Sequence, residues 1–299
     1  MKYIVFNQDT LSKLSLGTVQ FGLNYGIANN SGQPAQSMVN NIINYVYAQG
    51  VNCFDTAQDY GESEIVLNQG LQAKNNTFVI SKLKSDIFKE NASNSVLKSL
   101  DHLGIDSLYA LLLHDSKLLY TWSQKDALTV KTLIKNNTIK HFGVSIYTSE
   151  DFETALKNDV IEFIQIPFNL FDQRAVTQQW FQKAKKHNKL LFIRSVFLQG
   201  LLLMDIDKIP RKLESAKKNI KIMNLMCEEL NISKSQLALN FVDTVATDSL
   251  ILFGCETMEQ AQENLENYEK MEPLDASIIK RLMKQFADVD EKIYNPSRW

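Results

Sequence analysis

Eight short runs rich in Leu, Ile, Val and Phe recur along the chain, separated by amphipathic stretches of about a dozen residues. The runs are LSLGTV (14–19), VNCF (51–54), TFVIS (77–81), SLYALLL (107–113), KHFGVSI (140–146), EFIQI (162–166), KLLFIRS (189–195) and SLILF (249–253). Helical patterns lie between them, among them Ser63 to Leu71, Ser93 to Leu103, Val176 to His187 and Met258 to Tyr268. A strand apolar on both faces must be covered on both, and regular alternation with helices then predicts a parallel sheet. Eight repeats in 299 residues predict a (β/α)8 TIM barrel, an α/β fold, rather than an open sheet. An open dinucleotide-binding sheet would carry GxGxxG after its first strand, and this chain reads GTVQFGLNYG there. No Pro/Gly/Ser-rich linker or charge block divides the sequence. Residues 1–299 are therefore expected as one domain, with 200–247 a long loop and an added helix, and 275–299 a C-terminal helix and tail.

Composition narrows the function. The net charge of −2 leaves no basic footprint for nucleic acid or an anionic membrane. No run reaches the ~18 apolar residues of a membrane span, and MKYIVFNQDT lacks the apolar core of a signal peptide. Cys53, Cys227 and Cys255 are odd in number and far apart, forming neither a disulfide framework nor a metal motif. The expectation is a cytoplasmic protein, a monomer or weak homo-oligomer.

Asp55 follows the second run, Lys82 the third and His114 the fourth, with Tyr60 in the turn after Asp55. In a parallel barrel all C-terminal strand ends open onto one face, so these four side chains are expected in one pocket. Their chemistry is complementary. Free tyrosine, with a pKa of ~10, holds its proton too tightly to be a good acid at neutral pH. A neighbouring ammonium favours phenolate, a carboxylate fixes that ammonium, and a neutral imidazole can orient a carbonyl oxygen. Such a group suits protonation of an oxygen as hydride reaches the adjacent carbon.

The run D-T-A-x-x-Y-G-x-x-E, Asp55 to Glu64, resembles the signature of the aldo-keto reductase superfamily. The lysine of VISKLK and the histidine of LLLHD fall where that family places its other two catalytic residues. LSLGTVQFG, GVS (143–145), QIPFN (165–169) and LQGLL (198–202) follow in matching order, so the resemblance covers residues 13 to 266. It is similar to short-loop bacterial members, some of which serve sugar and cell-surface polysaccharide pathways. The resemblance implies a barrel that binds NAD(P)H without a Rossmann domain and reduces an aldehyde, ketone or keto-sugar. By position it makes Tyr60 the proton donor, Lys82 its activator, Asp55 the partner of Lys82, and His114 the substrate-orienting group. It assigns Ser145 and Gln165 to the nicotinamide carboxamide and Glu263 and Asn264 to the adenine. Gly17 and Thr18 fall where the first strand meets the cofactor.

Three positions depart from that pattern. Ile146 stands where many members have Asn, and Arg194 where many carry an aromatic ring stacked on the nicotinamide; a guanidinium can also stack. Where NADPH-preferring members place Lys or Arg beside the 2'-phosphate, this chain has Gly254, Glu256 and Gln260, with Glu259 adjacent. NADPH is the family default, and those carboxylates point toward NADH.

Isolated, each of these residues has a plainer reading: a turn aspartate, a packed tyrosine, a solvated lysine, a capped core histidine. His102 and His187 sit at expected helix ends and His141 opens a strand, so a multi-histidine metal site is not expected. Cys53 reads as a small core residue. The tail EKIYNPSRW reads either as a frayed end or as a flap over the barrel mouth. A barrel that holds cofactor only as a redox sensor for a partner protein is the alternative to an enzyme.

Overall fold

The computed structural model describes all 299 residues, Met1–Trp299. All eight expected runs form strands: β3 (Leu14–Gly17), β4 (Cys53–Asp55), β5 (Phe78–Leu83), β6 (Leu108–Leu113), β7 (Ile139–Ser145), β8 (Phe163–Pro167), β9 (Leu190–Arg194) and β10 (Ser249–Gly254). They close into a parallel barrel in chain order, with β10 pairing β3 to seal it. The chain is a (β/α)8 barrel.

Two hydrophobic layers hold it. The larger lies between strands and helices, where the apolar stripe of Gln36–Ala48 buries Val39, Ile42, Ile43 and Val46. The smaller fills the barrel interior with Cys53, Ile80, Leu112, Phe163, Phe192 and Leu250. Helix starts follow the local chemistry. Ser123, Thr148 and Ser233 each close a capping box at the head of a crossover helix.

The sequence reading passed over an N-terminal hairpin, β1 (Tyr3–Phe6) and β2 (Asp9–Ser12), paired antiparallel. Its Ile4, Phe6 and Leu11 pack on the interior layer and cover the end of the barrel opposite the C-terminal strand ends. Residues 200–247 contain three 3-10 turns (beginning at Leu198) and then two helices, Lys217–Leu230 and Lys234–Val245. The tail packs back on the barrel. Ile293 is buried, Trp299 packs on the main core, and Tyr294 lies 5.0 Å from the guanidinium of Arg174.

Candidate active site

Strand register sets the site. Gly254 stands beside Gly17, and Gly17 beside Asp55, along the C-terminal ends of β10, β3 and β4. Across the barrel Ser145 pairs with Gln165, and Pro167 with Arg194. A cavity of about 820 Å³ opens over these ends.

The turn carrying Tyr60 is held from below. Ser63 Oγ donates to the Thr18 carbonyl at 2.8 Å and lies 3.1 Å from Thr56 Oγ1. The Thr18 backbone N–H donates to the Asp55 carbonyl at 2.9 Å. Gly22 permits this approach, because a Cβ there would fall 1.8 Å from the Tyr60 carbonyl oxygen. Glu64, which closes the sequence motif, is buried and accepts a 2.6 Å hydrogen bond from Ser81 Oγ. The helix Ser63–Leu71 is thereby tied to β5 beside Lys82.

Lys82 Nζ donates to Asp55 Oδ1 at 2.5 Å and to the Thr56 carbonyl at 2.8 Å. Gln165 Nε2 donates to the second carboxylate oxygen at 3.0 Å. Both carboxylate oxygens are thus satisfied in a buried setting, as a charge out of water requires. Lys82 Nζ sits 5.0 Å from the centroid of the Tyr60 ring, and that ring meets His114 edge-on at 5.3 Å. Asp55, Tyr60 and His114 line the cavity; Lys82 lies behind them.

The electrostatics differ from the expectation of a lysine-depressed phenol. Burial pushes the Tyr60 pKa well above its usual value, Asp55 adds to this, and the cation that opposes it is Arg194. Burial also lowers Lys82, against the upward pull of Asp55. His114 falls to about 4, through burial first and the Lys82 charge second, so its imidazole is neutral at physiological pH. The combination is a protonated phenol, a neutral imidazole and a clamped carboxylate. It can donate a proton to a carbonyl oxygen and orient that oxygen.

All ten residues matched to the cofactor line the same cavity: Gly17, Thr18, Ser145, Gln165, Arg194, Gly254, Glu256, Gln260, Glu263 and Asn264. The fit to an extended nicotinamide dinucleotide rests on three features. The volume lies in the upper range of small-molecule sites. Gln20 Oε1, from another lining residue, is buried without a protein partner. A Cβ on Gly254 would come 2.6 Å from the Gln20 amide nitrogen. Several of the ten also have structural work. Gln165 holds Asp55, Gln260 Oε1 accepts from the Glu256 N–H at 2.9 Å, and Glu263 accepts from Ser235 Oγ at 2.7 Å.

Sequence reasoning missed Tyr25, Tyr147 and Lys208, which also line the cavity. Tyr147 lies just past the end of β7, so the strand-end rule could have found it, whereas Tyr25 comes only after the short helix Val19–Gly22 that follows β3. Lys208, on a 3-10 turn after β9, is a cation absent from the Gly254–Asn264 reading; it pairs with Asp205 at 3.0 Å. The tail from Asp275 onward contributes nothing to the cavity lining. His141 lies at the opposite end under Phe6, 2.9 Å from Glu162. No group of three or more His, Cys, Asp or Glu is placed to hold a metal ion, and no helix is long and apolar enough to cross a membrane.

The family model described as "Aldo/keto reductase family" matches residues 13–285. D-arabinose 1-dehydrogenase of Saccharomyces cerevisiae is 22% identical over 291 residues, covering 88% of this chain and 85% of the relative. The holo form of an aldo-keto reductase from Bacillus halodurans superposes with a TM-score of 0.79 at 18% identity, covering 100% of both chains. An aldo/keto reductase from Klebsiella pneumoniae in complex with NADP and acetate gives 0.72 at 18% identity, covering 95% of both. This chain belongs to the aldo/keto reductase family of nicotinamide-dependent oxidoreductases.

Proposed function

We propose that this protein reduces the carbonyl of an aldehyde, ketone or keto-sugar, with Tyr60 as proton donor. The observation that carries the reading is the packing of Tyr60 against His114 at the cavity wall, directly above the Lys82–Asp55 pair. Bound NAD(P)H would supply the hydride. Ser145, Gln165 and Asn264 offer the uncharged hydroxyl and amide groups that suit its carboxamide and adenine, while Gly17 and Thr18 line the channel between. The chain's own part is to position and protonate. Neutral His114 donates to the carbonyl oxygen and fixes its direction. Tyr60 passes its hydroxyl proton to that oxygen, giving the alcohol. Burial keeps this proton on Tyr60 until negative charge develops on the acceptor, and the Lys82 ammonium then stabilises the phenolate left behind.

Cofactor choice follows from charge. Glu256 and Glu259 stand at the head of the helix Met258–Lys270, and no Lys or Arg lies between Gly254 and Asn264. A 2'-phosphate there meets carboxylates, whereas a free ribose hydroxyl can donate to them, so preference moves away from NADPH toward NADH. The D-arabinose 1-dehydrogenase relative supports a polyhydroxylated substrate. Asn30 and Gln199 on the cavity wall carry amides able to bond its hydroxyls.

The test is cofactor absorbance followed with a panel of aldehydes, ketones and keto-sugars. Multiple turnover is expected with at least one polar member. Tight cofactor occupancy with no turnover across the panel would overturn the enzyme reading in favour of a redox sensor.

A further inference from the structure

Arg194 ends β9 at the wall shared with Tyr60 and His114, and its charge is poorly answered there. Arg174, Arg281 and Arg298 each pair with a carboxylate, but Arg194 has no carboxylate of the chain within pairing distance. Its guanidinium lies 4.0 Å from the centroid of Tyr147. One nitrogen donates to the Ile146 carbonyl at 2.9 Å and another to Ser195 Oγ at 3.3 Å. The guanidinium fork carries more donors than these two bonds use. The group is thus oriented by stacking and a backbone bond, half-buried, and still short of a counter-charge.

Its position relative to the chemistry is also defined. Arg194 lowers the pKa of both Tyr60 and His114, so its charge is felt at both groups proposed to meet the carbonyl. The other lining carboxylates do not answer it: Asp55 pairs with Lys82, Asp205 with Lys208, Glu263 accepts from Ser235 Oγ, and Glu256, past the end of β10, forms no ion pair with Arg194. An unpaired, partly desolvated guanidinium in a substrate cavity is a site for an anion, and its fork matches carboxylate and phosphate alike.

We propose that Arg194 is a specificity residue that pairs with an anionic group, carboxylate or phosphate, carried on the carbonyl substrate. This rests on the carbonyl-reductase reading above and names its substrate class. The reaction is unchanged: hydride to carbon, proton from Tyr60 to oxygen, with the anion as a spectator that fixes the pose.

Matched substrate pairs test it: succinic semialdehyde against butanal for carboxylate, and glyceraldehyde 3-phosphate against glyceraldehyde for phosphate. The readout is the ratio of kcat/KM, anionic over neutral, in the parent, Arg194→Gln and Arg194→Lys. Cofactor dissociation constants are measured alongside, because any effect on cofactor binding cancels in that ratio. The parent ratio should be about tenfold or more for at least one pair, should fall at least tenfold in Arg194→Gln, and should recover in part in Arg194→Lys. The responding pair identifies the anion. Equal ratios in parent and Arg194→Gln would overturn the proposal, as would weakened cofactor binding with both ratios untouched, which would assign the guanidinium to the cofactor phosphates. Binding of butyrate against butyramide to the protein saturated with oxidised cofactor separates the two readings. Loss of butyrate selectivity in Arg194→Gln, without turnover of any carbonyl, would refute the reductase and retain the anion site. Turnover of the neutral substrates, with no butyrate selectivity and unchanged ratios, would do the reverse.

Discussion

Acidification from pH 7 to pH 4.5 should unfold this protein partly through one imidazole. His114 has an ordinary value of 6.5 and a folded value of about 4, lowered by burial and then by the Lys82 charge. The unfolded chain therefore binds a proton at this residue, between those two values, that the folded chain refuses. Because the folded pKa is the depressed one, the associated stability is fully present above pH 6.5 and is lost as pH falls through about 4. At ~1.4 kcal/mol per unit the gap corresponds to about 3 kcal/mol, and residual solvent contact brings the expected effect nearer ~2 kcal/mol. The assay is urea unfolding at pH 7 and pH 4.5 on the parent and on His114→Asn. Acid losses from the groups common to both proteins cancel between them. The parent should lose about 2 kcal/mol more than the variant across this interval. Equal losses, within about 0.5 kcal/mol, would show that His114 titrates normally and that its neutral role has the wrong basis.

Lys82→Met leaves the Asp55 carboxylate buried with only the Gln165 amide as a side-chain partner, and should cost about 3–5 kcal/mol in urea unfolding. Stability within 1 kcal/mol of the parent would mean that the pair is far less desolvated than its geometry implies. Glu256→Arg replaces a carboxylate with a cation beside the expected 2'-phosphate position and should raise the affinity ratio of NADPH over NADH by about fivefold to tenfold, on the order of 1 kcal/mol in a solvent-accessible site. Titration of both cofactors by quenching of protein fluorescence checks it; an unchanged ratio would remove Glu256 from that subsite.

The barrel was legible because its strands are buried on both faces, which writes them as unbroken apolar runs with polar residues at their ends. The same rule exposed Asp55, Lys82 and His114, since a polar, titratable side chain closing a buried apolar run lies at a barrel mouth. Three features were not legible, each for a physical reason. The hairpin Tyr3–Phe6 and Asp9–Ser12 is short and turns through Asn7 and Gln8, both at positive φ, without the Asn-Gly or Asp-Gly pair that marks such turns. Lys208 reaches the cavity from a segment of 3-10 turns, which has no hydrophobic period to place it. The upward shift of Tyr60 depends on burial and on the Asp55 carboxylate beside it, both properties of three-dimensional packing.

Tyr60→Phe removes one hydroxyl from the cavity wall and leaves the ring against His114. The decisive measurement is kcat/KM for carbonyl reduction by this variant, with cofactor affinity and thermal unfolding determined on the same sample. Folding and cofactor binding should match the parent, while kcat/KM falls by roughly 10²–10⁴-fold, the range for a lost general acid. A folded variant that binds cofactor and reduces the substrate within about threefold of the parent rate would contradict the assignment of Tyr60 as the proton donor.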